Sequence, residues 1–418
     1  MSVWSLASEL LFRTLRGVDR WAGLPKKAEA TLHFRDAYAS LLPERAAERP
    51  TLWIHGASVG ELEDLASFFL SDEKLAEAGW RAEDLVLTAS SVSARDRLER
   101  WRRERPFRYA GPLPPDRTRD IHRFLDRLNP VWLVLSHNDV WPGILEAFAA
   151  RGRGERRIVW LPTRWPSPGF LKERLLRPLV ARLGARSPEE RDAARADGYD
   201  AEYVGYTRID RILARLERAR RDSRHPLEER DALPDPRRIS VLLGSAWPED
   251  AALWRDALAR LSDDEAARFF VVAIPHEVED PHVVASIQHR MPSLKLVVRE
   301  GILLEAYRGF DLAYVGGGLG RGLHSVVEPV LWGLPTLCGP SLRAQPLAPR
   351  FIRQGALRTV SDAEALASIL RKVALGGLRE WRASAEAESR HLLGEGGATS
   401  RLGALLRKLP TLESSATP

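Results

Sequence analysis

One cysteine, Cys338, stands in a chain of 418 residues. A lone thiol excludes an internal disulfide framework and any zinc site built from several cysteines of one chain, and it fits a reducing compartment. No apolar run approaches the roughly 18 residues of a membrane-crossing helix. The first residues lack the charged start, apolar centre and small-residue cleavage site of a secretory signal. Dense Lys/Arg runs and familiar nucleic-acid modules are missing too, so a nucleic-acid partner would rest on charge alone and is not expected. Lysine is scarce: of 63 basic residues seven are Lys and 56 are Arg, with a net charge of +6. Arginine binds phosphate and carboxylate through a planar fork, so anionic lipid or phosphorylated substrates fit this surface better.

The length suits two α/β domains of about 200 residues each. From Thr51 onward short apolar runs alternate with helical segments: 51–58, 85–91, 108–110, 131–136 and 158–163 read as strands, with helices at 61–69, 94–103, 116–128 and 141–150 between them. Continuous apolar strands separated by helices predict a parallel sheet covered on both faces. After a crossover at 201–210 and a polar stretch at 221–238 the pattern restarts, with strands at 239–245, 269–275, 295–298, 311–315 and 335–338. Helices are expected at 249–261, 279–290, 302–308, 323–332 and 362–374. The expected division is 1–30 as an amphipathic segment, 31–203 as a first doubly wound domain and 204–410 as a second. Such a pair places a cleft between the carboxyl ends of two sheets. Most of the 13 Trp are expected in the cores. In the N-terminal segment Val3, Trp4, Leu6, Leu10, Leu11, Leu15 and Trp21 share one helical face and Arg13, Arg16 and Arg20 the other, the pattern of a helix lying in a membrane interface. Packing of that helix on its own domain is the alternative.

Loops after parallel strands bind ligands in such folds. Three stand out here. His55-Gly56-Ala57-Ser58-Val59-Gly60-Glu61 ends a strand and opens a helix, whose first amides suit an anion. Glu61 lies in the first turn, as a reactive carboxylate or as a partner of the helix dipole. Gly316-Gly317-Gly318-Leu319-Gly320-Arg321-Gly322 follows a strand and lets a ligand approach the backbone, unless it is simply a structural turn. His324, Ser325 and Glu328 come next, with His324 and Glu328 expected as helical neighbours; Glu328 suits adjacent ribose hydroxyls. Gly244-Ser245-Ala246-Trp247-Pro248-Glu249-Asp250 opens the second series. Ser245 is a phosphate donor candidate, and Glu249 and Asp250 fit first-turn capping. His276, in Pro275-His276-Glu277, is expected at the same rim.

As an ordered set over roughly 35–355, these segments resemble the Kdo (3-deoxy-D-manno-octulosonic acid) transferases of lipopolysaccharide synthesis, sugar transferases of the GT-B fold. The set comprises Ser58-Val59-Gly60-Glu61, the GSAWPED of 244–250, Pro275-His276, GGGLGRGLHSVVEP at 316–329 and GLPTLCGP at 333–340, with Gly205, Arg208 and Asp210 at matching crossover places. The resemblance implies two Rossmann-like domains and inverting transfer of Kdo from CMP-Kdo to a lipid A precursor. It makes Glu61 the general base, with Ser58, Gly60, Asp139 and Arg164 on the acceptor side. Ser245, His276, Gly317, Gly318, His324, Ser325, Glu328 and Arg208 would hold the donor. It implies no metal or cofactor, and a peripheral place on the cytoplasmic face of the inner membrane. The chain departs from the family where His-Asn becomes His324-Ser325, and where Glu-Thr-Glu-Leu-Trp-Pro becomes His137-Asn138-Asp139-Val140-Trp141-Pro142. Another GT-B enzyme with a different nucleotide sugar, an epimerase of that fold, or a non-catalytic nucleotide- or lipid-binding relative are the competing readings.

Overall fold

A computed structural model describes residues 10, 14, 26–153, 155–166, 170–227, 232–342 and 345–410. The expected interfacial helix at 1–22 lies outside them, apart from Leu10 and Thr14. Among the described residues no helix is long and apolar enough to cross a membrane. The chain divides into two compact units, Met1–Arg211 with Gly397–Pro418, and Ile212–Gly396.

The first unit is built on seven parallel strands: β1 (Thr51–Gly56), β2 (Leu85–Ala89), β3 (Tyr109–Pro112), β4 (Pro130–Ser136), β5 (Ile158–Leu161), β6 (Val180–Ala185) and β7 (Ala201–Tyr203). Their order is β3-β2-β1-β4-β5-β6-β7. Every residue of β1 and β2 is buried, which is why both read as unbroken apolar runs. The two faces of β1 serve two cores. Leu52 and Ile54 join Leu62, Phe68 and Phe69, while Trp53 joins Tyr109, Phe124 and Phe148. Helix Ala398–Arg407 closes this unit, placing Leu402, Leu405 and Leu406 in the first of those cores. The expectation that 204–410 forms one domain therefore fails at its end, because these leucines bury against the first sheet.

The second unit carries six parallel strands: β8 (Ile239–Ala246), β9 (Phe269–Pro275), β10 (Lys295–Leu296), β11 (Leu312–Val315), β12 (Thr336–Cys338) and β13 (Leu357–Thr359). The order is β10-β9-β8-β11-β12-β13. Trp254 and Tyr314 meet edge to face at 5.8 Å in its core, beside Trp381. Trp53, Trp160, Trp254 and Trp381 are all fully buried, as expected for most tryptophans here.

In both sheets the strand order reverses beside the first strand, between β1 and β4 and between β8 and β11. At such a point the two loops leave in opposite directions and open a crevice at the carboxyl end. The three loops singled out from the sequence follow β1, β8 and β11, so both crevices are flanked by them.

Two sequence expectations change here. The helix at 323–332 is confined to Val327–Leu331. Gly320 and Gly322 take φ of 125° and 109°, and the amides of Gly322 and His324 turn back to the carbonyls of Gly317 and Gly316. His324 and Ser325 therefore sit in a loop, and His324 and Glu328 are not one helical turn apart. The helix at 61–69 is two short ones, Val59–Glu63 and Ala66–Phe69.

Candidate active site

In the first unit the loops after β1 and β4 gather a compact polar cluster. Gly56 permits it: a Cβ there would stand 3.0 Å from the Glu61 Cβ and 3.2 Å from the Leu62 amide nitrogen. The helix thus starts tight against the strand end. Ser58 occupies its N-cap position, without a capping side-chain bond. The Ala57 amide donates to Glu61 Oε2 at 2.7 Å. That corrects the expectation of an anion site on these amides, since the protein's own carboxylate takes one and the helix runs for only five residues. Glu61 remains a quarter exposed. Burial is the largest influence on it and raises its pKa. The Ala57 amide opposes that, and the charges of Asp139 and Asp64 raise it further. A carboxyl that holds its proton more tightly than usual, yet reaches solvent, suits proton abstraction.

Asp139 is the opposite case. Burial disfavours its charge, but three donors converge on Oδ2 and the balance falls well below the ordinary carboxylate range. They are His55 Nε2 at 3.0 Å, Ser90 Oγ at 2.6 Å and Trp141 Nε1 at 3.1 Å. Trp141 is itself backed by the Arg35 guanidinium, 4.0 Å from its ring. Two carboxyls with pKa values pushed apart mark a division of roles.

His137 adopts φ 61°, an uncommon backbone state for a residue with a Cβ. Its ring stands 3.9 Å from Glu61 Oε2 and 3.6 Å from Asp64 Oδ2. Burial, with the charges of Arg186 and Arg208, lowers its pKa to about 3. The ring is therefore neutral near pH 7, and these contacts are not ion pairs. Asp64 is raised by burial despite Arg186 and Arg208. Arg208 reaches Asp64 at 4.0 Å. Arg208 thus lies on the first unit, with the acidic cluster. Arg164 is exposed after β5, and its charge acts on Glu190. Gly60 has room beside it, since an added Cβ would meet only Ser58 Oγ at 4.0 Å. Thr88, Ser90, Asp64 and Arg186 were not anticipated from the sequence, and His55 only as the start of the first loop.

The second unit's crevice is organised by Asp250. Its carboxylate accepts from the Trp247 amide at 2.9 Å, the Gly317 amide at 3.2 Å and the Tyr314 hydroxyl at 2.7 Å. It clamps the loops after β8 and β11 together. Ser245 sits on a bulge with φ 53°, and its carbonyl would be 2.2 Å from a Cβ on Gly316. Gly317 takes φ 87° and would meet the Gly322 carbonyl at 2.1 Å; Gly318 would strike the Gly339 backbone at 2.7 Å. The chain's own packing therefore demands these glycines. Gly320 and Gly322, by contrast, have open space around them.

His276 and His324 stack at 3.9 Å, with Trp247 5.1 Å from His276 and Arg321 4.5 Å above Trp247. Burial first, then the neighbouring His276, lowers His324 to about 4. The hollow beside His276 is lined by Glu277, Glu279, Asp280 and Glu300, a poor surround for phosphate. Glu328 Oε2 is buried with no hydrogen-bond partner, and burial first, then the Glu328 charge, raises the pKa of the Tyr307 hydroxyl. That oxygen is left unsatisfied and closed to solvent. Ser325 lies in the loop that precedes the Glu328 helix. Among the described residues no group of three His, Cys, Asp or Glu side chains is placed to hold a metal ion.

Residues 33–155 match the family model described as 3-deoxy-D-manno-octulosonic-acid transferase (kdotransferase). That span contains β1 to β4, Glu61 and Asp139. The 3-deoxy-D-manno-octulosonic acid transferase of Chlamydia pneumoniae is 26% identical over 356 residues, covering 75% of each chain. That of Chlamydophila psittaci is 26% identical over 349 residues, again 75% of each. The chain is thus similar to members of the Kdo transferase family. This is a family of glycosyltransferases. Among solved structures, the UDP-GlcNAc 2-epimerase of Neisseria meningitidis bound to UDP-GlcNAc aligns over 86% of this chain and all of that one, with 16% identity and a TM-score of 0.60. The glycotransferase of kitacinnamycin aligns over 87% and 100%, with 14% identity and a TM-score of 0.55. At such identities these likenesses speak for the fold alone, and they match the expected GT-B class.

The neutral His137 carries a prediction. Unfolded imidazole takes up a proton near pH 6.5, but in the folded unit the ring does so only near 3. The unfolded state binds more protons in that window, so stability falls as pH drops through 6.5 and levels off below about 3. His137→Gln should flatten this loss in melting curves taken between pH 7 and 4. An unchanged slope would show that the ring is already charged in the native state.

Proposed function

We propose that the protein transfers Kdo from CMP-Kdo to a lipid A precursor, with inversion, and that Glu61 is the general base. Glu61 takes the proton of an acceptor hydroxyl. The freed oxygen pair bonds to the anomeric carbon as the bond from that carbon to the CMP phosphate breaks, and CMP leaves with its electrons. The observation that carries this reading is Glu61 itself: a partly exposed carboxyl of raised pKa, held by the Ala57 amide beside a reversed strand order. Proton transfer needs such a group at the acceptor. Ser58, Gly60, Asp139 and Arg164 would lie towards the acceptor and Arg208 towards the donor sugar's charge. On the second unit Glu328, with its unpartnered oxygen, would take the ribose hydroxyls, and Ser245, Ser325, His276 and His324 would line the donor, around a backbone shaped by Gly317 and Gly318. No metal or cofactor is required by this scheme. The lipid acceptor would place the protein peripherally on the cytoplasmic face of the inner membrane, docked by the N-terminal segment.

The nucleotide is tested by melting. CMP should raise Tm, UMP and UDP should not, and Glu328→Ala should remove most of the CMP effect. Stabilisation by UDP alone would replace CMP-Kdo with a uridine-linked donor.

A further inference from the structure

Behind Glu61, side chains from β1 and β2 form a buried chain of hydrogen bonds that ends on Asp139. Trp53 Nε1 lies 2.7 Å from Thr88 Oγ1, and Thr88 Oγ1 lies 2.8 Å from His55 Nδ1. His55 Nε2 lies 3.0 Å from Asp139 Oδ2. The parallel register sets His55 directly opposite Thr88. Trp53, His55 and Thr88 are all at most 3% exposed. The indole can only donate, so Thr88 accepts there, and the Asp139 carboxylate can only accept, so His55 Nε2 carries a proton. The network thereby assigns the ring proton to Nε2, which donates to Asp139. Ser90 donates to the same oxygen and lies 3.3 Å from the Ala57 carbonyl, while the Ala57 amide holds Glu61. Both carboxylates are thus tied to one short piece of backbone.

We propose that Trp53, Thr88 and His55 form a relay that holds Asp139 as a fixed anion beside Glu61, making Asp139 a positioning residue that acts through the candidate base. It rests on the reading of Glu61 as that base. Four titratable groups face Glu61: Asp139 and His137 from the loop after β4, His55 from β1 and Asp64 from the C-cap of its own helix. His55, Arg35 and Glu61 face Asp139. A permanent negative charge next to a carboxyl makes its proton harder to lose, which strengthens the conjugate base. Thr88 orients the ring that fixes that charge.

The test follows the Glu61 carboxyl directly by NMR titration of the full chain, comparing wild type with Asp139→Asn and with Thr88→Val, and sets this beside the pH profile of transfer. Asparagine keeps the acceptor oxygen for His55, Ser90 and Trp141 but removes the charge. Glu61 should then titrate about one unit lower in Asp139→Asn, and by a smaller shift in the same direction in Thr88→Val. The acid limb of kcat/KM should move down with it, and kcat should fall about tenfold. If Glu61 titrates at the same pH in both variants, the relay does not act through it and the proposal is overturned. Should the Asp139→Asn protein not fold, Thr88→Val alone decides by the same criterion. The titration is independent of turnover: a shift in Glu61 with no matching shift in the rate profile would keep the relay and remove Glu61 as the base.

Discussion

Glu61→Gln is expected to lower transfer by about 10²- to 10⁴-fold, the range of a lost general base, while leaving CMP binding unchanged. The amide keeps the size of the side chain and can still accept from the Ala57 amide, so the loop after β1 is retained. It cannot take a proton at neutral pH. The loss should fall on kcat, since the group acts on the moving proton rather than on ground-state binding. Comparable rates for the two proteins, or a lost CMP response, would assign Glu61 a structural role.

The second large effect is on stability. Asp250→Ala removes an acceptor shared by two amides and a hydroxyl, all buried. Bonds to a charged acceptor count for about 1.5–3 kcal/mol each and are not additive, so a cost of about 3–5 kcal/mol is expected. Burial raises the Asp250 pKa and the three donors pull it back, leaving it above the ordinary range. The clamp joins the loops after β8 and β11, so CMP stabilisation should vanish and the denaturant midpoint should fall. A variant of near-native midpoint would mean that water or a neighbouring side chain replaces the carboxylate.

Much of this architecture was legible because fully buried parallel strands are written as unbroken apolar runs, and β1, β2, β4, β8 and β9 were all found that way. β6, β7 and β13 were not. β6 carries the half-buried Arg182, β7 spans three residues, and β13 exposes Arg358 and Thr359. In these three strands the signal is lost along with the burial. Strand order, and so the crevices, is a property of pairing that no local pattern encodes.

The site divides in the same way. Glu61, His276 and His324 announced themselves by loop context. Asp250 read as a first-turn acid, which it is, but its second duty depends on Gly317, 67 positions away. His55 and Asp139 are 84 positions apart, so their pairing was invisible before folding. The triple glycine looked like a ligand cradle. Gly316, Gly317 and Gly318 turn out to be required by contacts with Ser245, Gly322 and Gly339, and a short motif cannot separate the two causes.

The measurement closest to the central claim is transfer itself. The full chain, fresh CMP-Kdo and a tetraacylated lipid A precursor are incubated, and the lipid is weighed by mass spectrometry. The account predicts a gain of one or more Kdo units, absent with Glu61→Gln. A lipid of unchanged mass, with CMP still raising Tm, would contradict it by leaving the nucleotide site without the proposed reaction.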